Sequence, residues 1–119
     1  MNTKEKGKIG EEAAVAYLED NGYEILKRNY RQRFGEIDII ALDKASREIV
    51  FAEVKARGSD VYGFPEEAVG NEKLEKIDKA AQVYLIDKKE ECDYRFDCLA
   101  LEKVPTGFTI KHYKNIGFN

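Results

Sequence analysis

The sequence predicts an α/β fold in which a central mixed β-sheet is flanked by helices. Two segments place apolar residues at helical spacing, and five others are rich in the β-branched and aromatic residues that favour strands. Their order along the chain is α-β-β-β-α-β-β. A single sheet covered by helices fits this order.

The first helix is predicted from about Lys4 to Asn21. Apolar side chains recur there at i, i+4 spacing, and Asn21-Gly22 is a typical C-terminal stop. Glu11 follows Gly10 in this helix, and its carboxylate has two interpretations of equal weight. It either benefits from the positive end of the helix dipole or belongs to a metal site.

A strand from Tyr23 to Tyr30 follows the helix, and residues 31 to 34 form a loop or an irregular strand before a bend at Gly35. The next segment, residues 35 to 57, reads GEIDIIALDKASREIVFAEVKAR. It predicts two antiparallel strands joined by a short polar loop. The rest of the chain is organised around this hairpin.

Charged side chains are placed close together by the predicted hairpin. Glu53 and Lys55 share one face of the second strand because side chains alternate across a strand. On the first strand, Asp38 lies on the face opposite the isoleucines on either side of it. Folding the hairpin about its loop brings Asp38 close to Ala52 or Glu53.

Two carboxylates and an ammonium group would then converge on a largely apolar hairpin. Such a patch suits Mg²⁺ or Mn²⁺, since a hard cation takes a few oxygen ligands and keeps waters for chemistry. The competing interpretation is a surface hairpin with solvated charges. Apolar residues surround the charges on the second strand, and charges are seldom buried without a partner or a metal, which favours the site.

The second half of the chain supplies a helix and two more strands. After a glycine-containing loop, Pro65 suits the first turn of a helix that extends to about Asp87, with a candidate break at Gly70-Asn71. The last strands are predicted at residues 94 to 101 and 108 to 113, on either side of a Pro-Thr-Gly turn signal. Three lysines of this helix lie away from its apolar stripe: Lys73, Lys76 and Lys79. Lysines in such positions ordinarily serve solubility. If the helix lies beside the site, however, one of them could contact a phosphate.

Length and composition exclude several classes of protein. The 119 residues suit one domain, and no apolar run approaches the roughly 20 residues of a membrane helix. The N-terminus lacks the apolar core of a signal peptide, so we expect no membrane association. Cys92 and Cys98 have no metal-ligand spacing with His112, so we interpret them as buried or incidental thiols. Reduced thiols are typical of a reducing compartment, and we therefore expect a cytoplasmic location.

The charge distribution is compatible with nucleic acid, although the net charge is not. A formal net charge of −3 argues against a protein that coats nucleic acid by bulk electrostatics. Basic residues nevertheless cluster before and at the end of the hairpin, and a cluster of this kind fits a solvated face and a phosphate-binding face equally well. The arginines that we expect to grip a nucleic-acid backbone, without reading bases, are Arg31, Arg33 and Arg57.

Four motifs together resemble a known bacterial family. They are G-x-x-G-E-x-x-A in the first helix, R-N-Y-R followed by G-E-I-D, F-A-E-V-K-A-R, and a later R-F-D. This arrangement resembles the YraN-like family, which is usually described as uncharacterised and similar to Holliday-junction resolvases. The resemblance spans nearly the whole chain and implies one restriction-endonuclease-like domain over residues 1–119, in the PD-(D/E)xK nuclease superfamily.

The resemblance implies a role for four residues. Asp38 matches the metal-binding aspartate of the superfamily, Glu53 and Lys55 match its (D/E)-x-K, and Glu11 matches the helix glutamate of the resolvase branch. The implied catalytic set is therefore these four residues, with the three carboxylates as ligands of Mg²⁺ or Mn²⁺. The proline of the PD motif is absent, because Ile37 precedes Asp38.

Three hypotheses follow. The first is a Mg²⁺-dependent endonuclease for branched DNA such as Holliday junctions, acting as a homodimer because a four-way junction presents paired strands. The second is a non-catalytic nucleic-acid-binding module that retains the nuclease fold, and the third is a metal-binding or partner-binding protein without nucleic acid. The presence of Asp38, Glu53 and Lys55 together favours the first over the second, whereas the negative net charge slightly favours the third.

Overall fold

Two helices and five strands form over the residues that this computed structural model describes, namely 3–57, 71–89 and 92–116. Side chains are described at 8–55, 72–89 and 92–116. The element order is α-β-β-β-α-β-β, which confirms the prediction. The elements are α1 (Thr3–Asp20), β1 (Tyr23–Gln32), β2 (Gly35–Asp43), β3 (Glu48–Arg57), α2 (Asn71–Lys88), β4 (Tyr94–Val104) and β5 (Gly107–Ile116).

Local sequence signals account for most element boundaries. Helix α1 ends at Asp20, and Gly22 adopts a φ of +86°, a left-handed conformation that glycine permits and that stops the helix. Strands β4 and β5 run further toward their shared turn than predicted. Within the described residues α2 begins at Asn71, and positions 65–70 of the predicted helix lie outside those residues.

The five strands form one mixed sheet in the order β1-β2-β3-β4-β5. Strands β3 and β4 are parallel, and the other neighbouring pairs are antiparallel. A parallel pair requires a crossover connection, and α2 lies between β3 and β4 in the chain. The predicted central mixed sheet with flanking helices is confirmed.

Each face of the sheet carries one helix and one apolar cluster. Successive residues of a strand face opposite ways, so Phe51 packs into the cluster of α2, whereas Val50 and Ala52 pack into that of α1. Neither α1 nor α2, the helices of the described residues, is long and apolar enough to cross a membrane. The sheet is thus buried on both faces near its centre.

The sheet forks at one end of the β2–β3 pair. The ladder between these strands ends at Ile39 and Ala52. Beyond that point, the first residues of β2 remain paired with β1, and the last residues of β3 remain paired with β4. The two strands therefore separate at the next residues, Asp38 and Glu53.

The alternation of side chains in β2 is interrupted at the fork. Ile37 packs in the apolar cluster of α2, whereas Ile39 packs in that of α1. The expectation that both isoleucines share the face opposite Asp38 is therefore wrong. Here β2 continues with β1 as a two-stranded ribbon, and such ribbons twist more strongly than the interior of a sheet.

Candidate active site at the fork of the sheet

Asp38 lies at the vertex of the fork and is fixed by the backbone of β3. Its Oδ2 accepts a hydrogen bond from the Val54 N–H at 2.8 Å. This bond satisfies a backbone donor next to the point where the β2–β3 ladder stops, and a buried donor left unpaired is costly. The register that pairs Ile39 with Ala52 places Asp38 opposite Glu53, the second of the two partners that the sequence allowed.

The environment of Asp38 favours its protonated form. Burial, followed by the nearby Glu53 carboxylate, raises the pKa of Asp38 to about 7, although the hydrogen bond from the Val54 N–H partly opposes the shift. Asp38 therefore exchanges a proton near neutral pH. Two carboxylates this close cannot both carry charge at low cost unless a cation lies between them.

Glu53 is buried and is neutralised by two lysines. Its exposed fraction is 7%, and its Oε1 lies 3.5 Å from the Lys55 Nζ on the same face of β3. The same oxygen accepts a short hydrogen bond from the Lys73 ammonium, in the first turn of α2. The convergence of Asp38, Glu53 and Lys55 matches the prediction. Lys73 is one of the helix lysines that the sequence offered for a place beside the site, but its contact with Glu53 was not predicted.

The two lysines differ in how firmly they hold their protons. Burial lowers the pKa of Lys55, and the neighbouring Lys73 ammonium lowers it further. Burial is the largest single influence on Lys73 and disfavours its charge. The hydrogen bonds to Glu53 and Lys55 and the charges of Glu53 and Asp38 together outweigh burial, so the pKa of Lys73 is raised. Lys55 is therefore the better candidate to exchange a proton, while Lys73 remains a fixed positive charge.

Glu11 lies at the edge of this cluster and is tied to β1. Its Oε1 accepts hydrogen bonds from the Arg28 Nε at 3.3 Å and from the Asn29 Nδ2 at 2.9 Å. Its charge also helps to raise the pKa of Asp38, as a minor cause after burial and Glu53. The helix dipole acts mainly within the first turn of a helix. Glu11 lies beyond the first turn of α1, so the dipole does not explain its position.

Asn29 explains how β1 reaches Glu11. This residue lies across from Asp38 in the β1–β2 pair and adopts a φ of +51°. Asparagine tolerates this left-handed conformation better than most residues. The asparagine within a run of strand-forming residues was the sequence signal for this left-handed position in β1. No local sequence pattern, in contrast, indicated the contact of Lys73 with Glu53.

The predicted backbone-gripping arginines lie near the β1–β2 turn. Arg31 is exposed over 78% of its side chain and lies 3.6 Å from Glu36 in an ion pair. Arg33 is exposed in the turn itself. Asp38 follows Gly35 by three residues, about 10 Å along the strand, so these arginines lie outside the carboxylate cluster. The side chain of Arg57 lies outside the described residues.

The donor set suits a hard divalent cation held by two carboxylates. Across the side chains described, no three His, Cys, Asp or Glu residues gather closely enough to hold a metal ion. Asp38 and Glu53 form a pair of oxygen donors, and Mg²⁺ is commonly bound through one or two carboxylates together with waters and substrate phosphates. The pair therefore fits Mg²⁺ or Mn²⁺, with Glu11 outside the pair in this arrangement.

Comparison with known proteins places the chain in a family. Residues 10–101 match the family described as Uncharacterised protein family UPF0102. The chain belongs to this family. The matched segment contains Glu11, Asp38, Glu53 and Lys55, and the family is the YraN-like one that the sequence motifs resemble.

Relatives in several bacteria match most of the chain. A UPF0102 protein of Syntrophus aciditrophicus is 50% identical over 110 residues, covering 92% of this chain and 85% of the relative. One from Persephonella marina is 47% identical over 111 residues, covering 92% and 90%. One from Alkaliphilus oremlandii is 42% identical over 115 residues, covering 94% and 97%. The similarity thus extends over nearly the full length of these UPF0102 proteins.

Asp38→Asn should make the metal-free protein more stable near pH 8, by about 1 kcal/mol at an intermediate effective dielectric. Because the pKa of Asp38 is raised in the native state, protonation of Asp38 stabilises the fold at low pH, and this contribution is lost as the pH rises through about 7. Asparagine resembles the neutral carboxyl group and does not titrate, so the gain should be smaller near pH 5 than near pH 8 and should vanish only below the ordinary aspartate pKa. Urea unfolding at both pH values measures the difference.

The same variant should lose the stabilisation that millimolar Mg²⁺ or Mn²⁺ gives the parent, since a ligand of the native state raises its stability. Glu36→Gln is the matched control, because Glu36 lies on the same strand with 39% of its side chain exposed. Thermal melts with and without metal compare the three proteins. A parent that metal does not stabilise, with a variant no more stable than the parent, would remove this site.

Proposed function

We propose that this protein is a metal-dependent endonuclease that hydrolyses phosphodiester bonds, with branched DNA as its substrate. The observation that carries the proposal is the convergence of Asp38, Glu53 and Lys55 where β2 and β3 separate. Two carboxylates that can hold a cation, and an ammonium with a lowered pKa, are groups that can support phosphodiester hydrolysis. These three residues lie at the end of the sheet where β2 and β3 separate.

In the proposed reaction, Asp38 and Glu53 would hold a divalent cation. A bound Mg²⁺ would supply positive charge to the phosphorane-like transition state and favour deprotonation of the attacking water. Since the pKa of Asp38 is raised to about 7, its carboxyl must release a proton before it can bind a cation. Metal affinity should therefore increase as the pH rises toward and through that value.

Lys55 acts on the water and on the developing charge. The Lys55 ammonium lies 3.5 Å from Glu53, which positions it. Because 30% of the Lys55 side chain is exposed, a substrate can still reach it. Its lowered pKa suits a group that accepts a proton from water or orients it, and its positive form counters charge on the phosphate. Lys73 keeps its charge and holds Glu53 in place.

We include Glu11 in the proposed catalytic set because its negative charge acts on Asp38. Arg28 and Asn29 both donate hydrogen bonds to its Oε1, which reduces its capacity to bind a cation. It becomes a ligand of a second metal or of a metal-associated water only when one of these donors releases it. In the arrangement described, Glu11 adds negative charge beside Asp38 and so favours a cation there.

The basic residues of the β1–β2 turn would hold the nucleic-acid backbone. Arg31→Ala and Arg33→Ala should each weaken binding without sequence preference and reduce the slope of log K against log salt by about 1. Fluorescence anisotropy over a salt titration measures the slope. Lys44→Ala is the matched control, because Lys44 is an exposed cation in the β2–β3 turn, at the other end of β2. Unaltered slopes for both arginine variants would mean that this turn does not face the substrate.

One cleavage panel tests the proposed activity. Purified protein is incubated with four-way junctions, flaps, plain duplex and single strands in Mg²⁺, Mn²⁺ or EDTA. We expect metal-dependent cutting or nicking of branched substrates, by a homodimer if both arms of a junction are cut together. A protein that cuts nothing in this panel, while it binds junctions normally, would contradict the proposed activity.

A second candidate is a nucleic-acid-binding module without catalysis. The contact of Lys73 with Glu53 favours it, because a carboxylate with two ammonium partners is neutralised without any metal. The outcome that supports this candidate is junction binding with no cutting under any metal. A parent protein that Mg²⁺ and Mn²⁺ do not stabilise would point the same way.

A further inference from the structure

Phe34 is an exposed aromatic residue at the turn between β1 and β2. Its exposed fraction is 46%, and among the described residues the other exposed aromatic is Tyr94. The ring of Tyr94 packs against Phe51 and Phe96, whereas the ring of Phe34 contacts the Lys79 ammonium, 5.7 Å from its centroid. Phe34 thus presents a ring to solvent with a cation beside it.

The turn that carries Phe34 is docked closely on α2. A Cβ added at Gly35 would lie 3.2 Å from the Lys76 Cβ and 3.4 Å from its carbonyl oxygen. The backbone can approach the helix this closely because residue 35 has no side chain. Phe34 is therefore held at a fixed place over α2.

A cavity of about 510 Å³ lies beside this contact, lined by residues of the turn and of the first turns of α2. Its walls combine charged and apolar groups: Gly35, Glu36, Glu72, Lys73, Lys76 and Ile77. The two glutamates of the cavity pair with cations, since Glu36 lies 3.6 Å from Arg31 and Glu72 lies 3.8 Å from Lys76. Their charges are thereby offset on this surface.

Lysines connect this cavity to the candidate active site. Lys73 binds Glu53, Lys76 lines the cavity, and Lys79 contacts Phe34. Lys79 follows Lys73 by six positions, which is about 9 Å along the helix axis. A row of ammonium groups thus leads from the paired carboxylates to the exposed ring.

We propose that Phe34 stacks on an unpaired nucleobase of the nucleic acid whose phosphates lie along these lysines. The inference rests on the proposed function and specifies its substrate class as nucleic acid with unpaired bases beside the cleavage position. Aromatic side chains stack on single-stranded bases without regard to sequence, because every base has a π-face. Bases inside a duplex are already stacked on each other, so Phe34 selects branch points and single strands.

The test compares binding of Phe34→Ala and the parent in EDTA, where no cutting occurs. The probes are a four-way junction with unpaired bases at its centre, a single-stranded oligonucleotide and a plain duplex. Phe34→Ala should lose about 5- to 150-fold in affinity for the first two probes, as expected for one lost base stack, and little for the duplex. Ile86→Ala is the matched control, since Ile86 is 73% exposed and lines a different cavity.

Phe34→Trp supplies a direct readout of stacking. The chain contains no tryptophan, so the introduced indole is the sole tryptophan fluorophore. Its affinity should equal that of the parent, and its emission should be quenched by the single strand and not by the duplex. Unchanged affinity in Phe34→Ala, or an equal loss on all three probes, overturns the inference and leaves the proposed function standing. A parent that binds none of the probes refutes both.

Discussion

Asp97→Asn should reduce the free energy of unfolding by about 3 kcal/mol or more at neutral pH, because it breaks a buried ion pair from one side. Asp97 is 1% exposed. Its Oδ1 accepts the Arg95 Nε and the Asn115 backbone N–H, both at 3.0 Å, and its Oδ2 lies 2.6 Å from the His112 Nε2. An amide removes the charge from this site and points a donor at groups that are themselves donors.

Urea unfolding as a function of pH measures this effect with its sign. Burial would raise the pKa of Asp97, but hydrogen bonds from His112 and Arg95 outweigh it and lower the pKa. The carboxylate therefore stabilises the fold above the ordinary aspartate pKa, and this contribution is lost as the pH falls through the native value. The difference between parent and variant should accordingly shrink in acid.

Asp93→Asn is the control for the Asp97 variant. Asp93 is an exposed aspartate just before β4, and its substitution should change stability by no more than about 0.5 kcal/mol. If Asp97→Asn is as stable as this control at neutral pH, the buried network contributes nothing to folding.

The network around Arg95 holds the end of the sheet that lies opposite the fork. Its guanidinium, 7% exposed, reaches Asp43 at 3.0 Å and Glu48 at 2.8 Å, the residues that flank the β2–β3 turn. It also donates to the Tyr23 hydroxyl at 2.9 Å, at the start of β1. Strands β1 to β4 are thereby tied together where β2 and β3 are paired. The same two strands separate at Asp38 and Glu53, so one end is fixed and the other is open to a ligand.

Short-range patterns predicted the elements and the centre of the site. The proximity of Asp38 and Glu53 depends only on the register of a hairpin with a short loop, and the contact of Glu53 with Lys55 depends only on the period of a strand. Both are local properties of one 23-residue segment, residues 35 to 57. The sequence therefore sufficed for this part of the site.

Contacts between distant segments were beyond local patterns. Lys73 reaches Glu53 only because α2 docks on one face of the sheet, and its place on the helix resembles that of any solubilising lysine. The partners of Arg95 come from three other strands, so its burial could not be read from the alternation of β4. The change of face between Ile37 and Ile39 depends on the fork, which no local pattern encodes.

Lys55→Ala should lower turnover on a branched substrate by about 100-fold or more, which is typical for the loss of a positioned acid–base or electrostatic group. Stabilisation of the protein by Mg²⁺ should remain, because the two carboxylates are intact and Lys55 acts on water and on charge at the phosphate. Lys88→Ala is the matched control, since Lys88 is an exposed lysine in the last turn of α2, at the end of the helix away from Lys73 and Glu53. Single-turnover cleavage and thermal melts with metal separate the two effects, and an unchanged rate would remove Lys55 from the mechanism.

Lys73→Ala then distinguishes the two roles proposed for Lys55. Burial and the Lys73 ammonium both lower the pKa of Lys55, so removal of Lys73 should raise that pKa. The pH–rate profile is measured at saturating Mg²⁺, so that ionisation of Asp38 does not control metal binding. If Lys55 accepts the proton of the attacking water, the rising limb should move to higher pH in Lys73→Ala, because Lys55 must be neutral to act. If Lys55 acts only as a positive charge, that limb should stay in place. Whether the rising limb shifts in Lys73→Ala therefore decides whether Lys55 is the general base or an electrostatic partner of the phosphate.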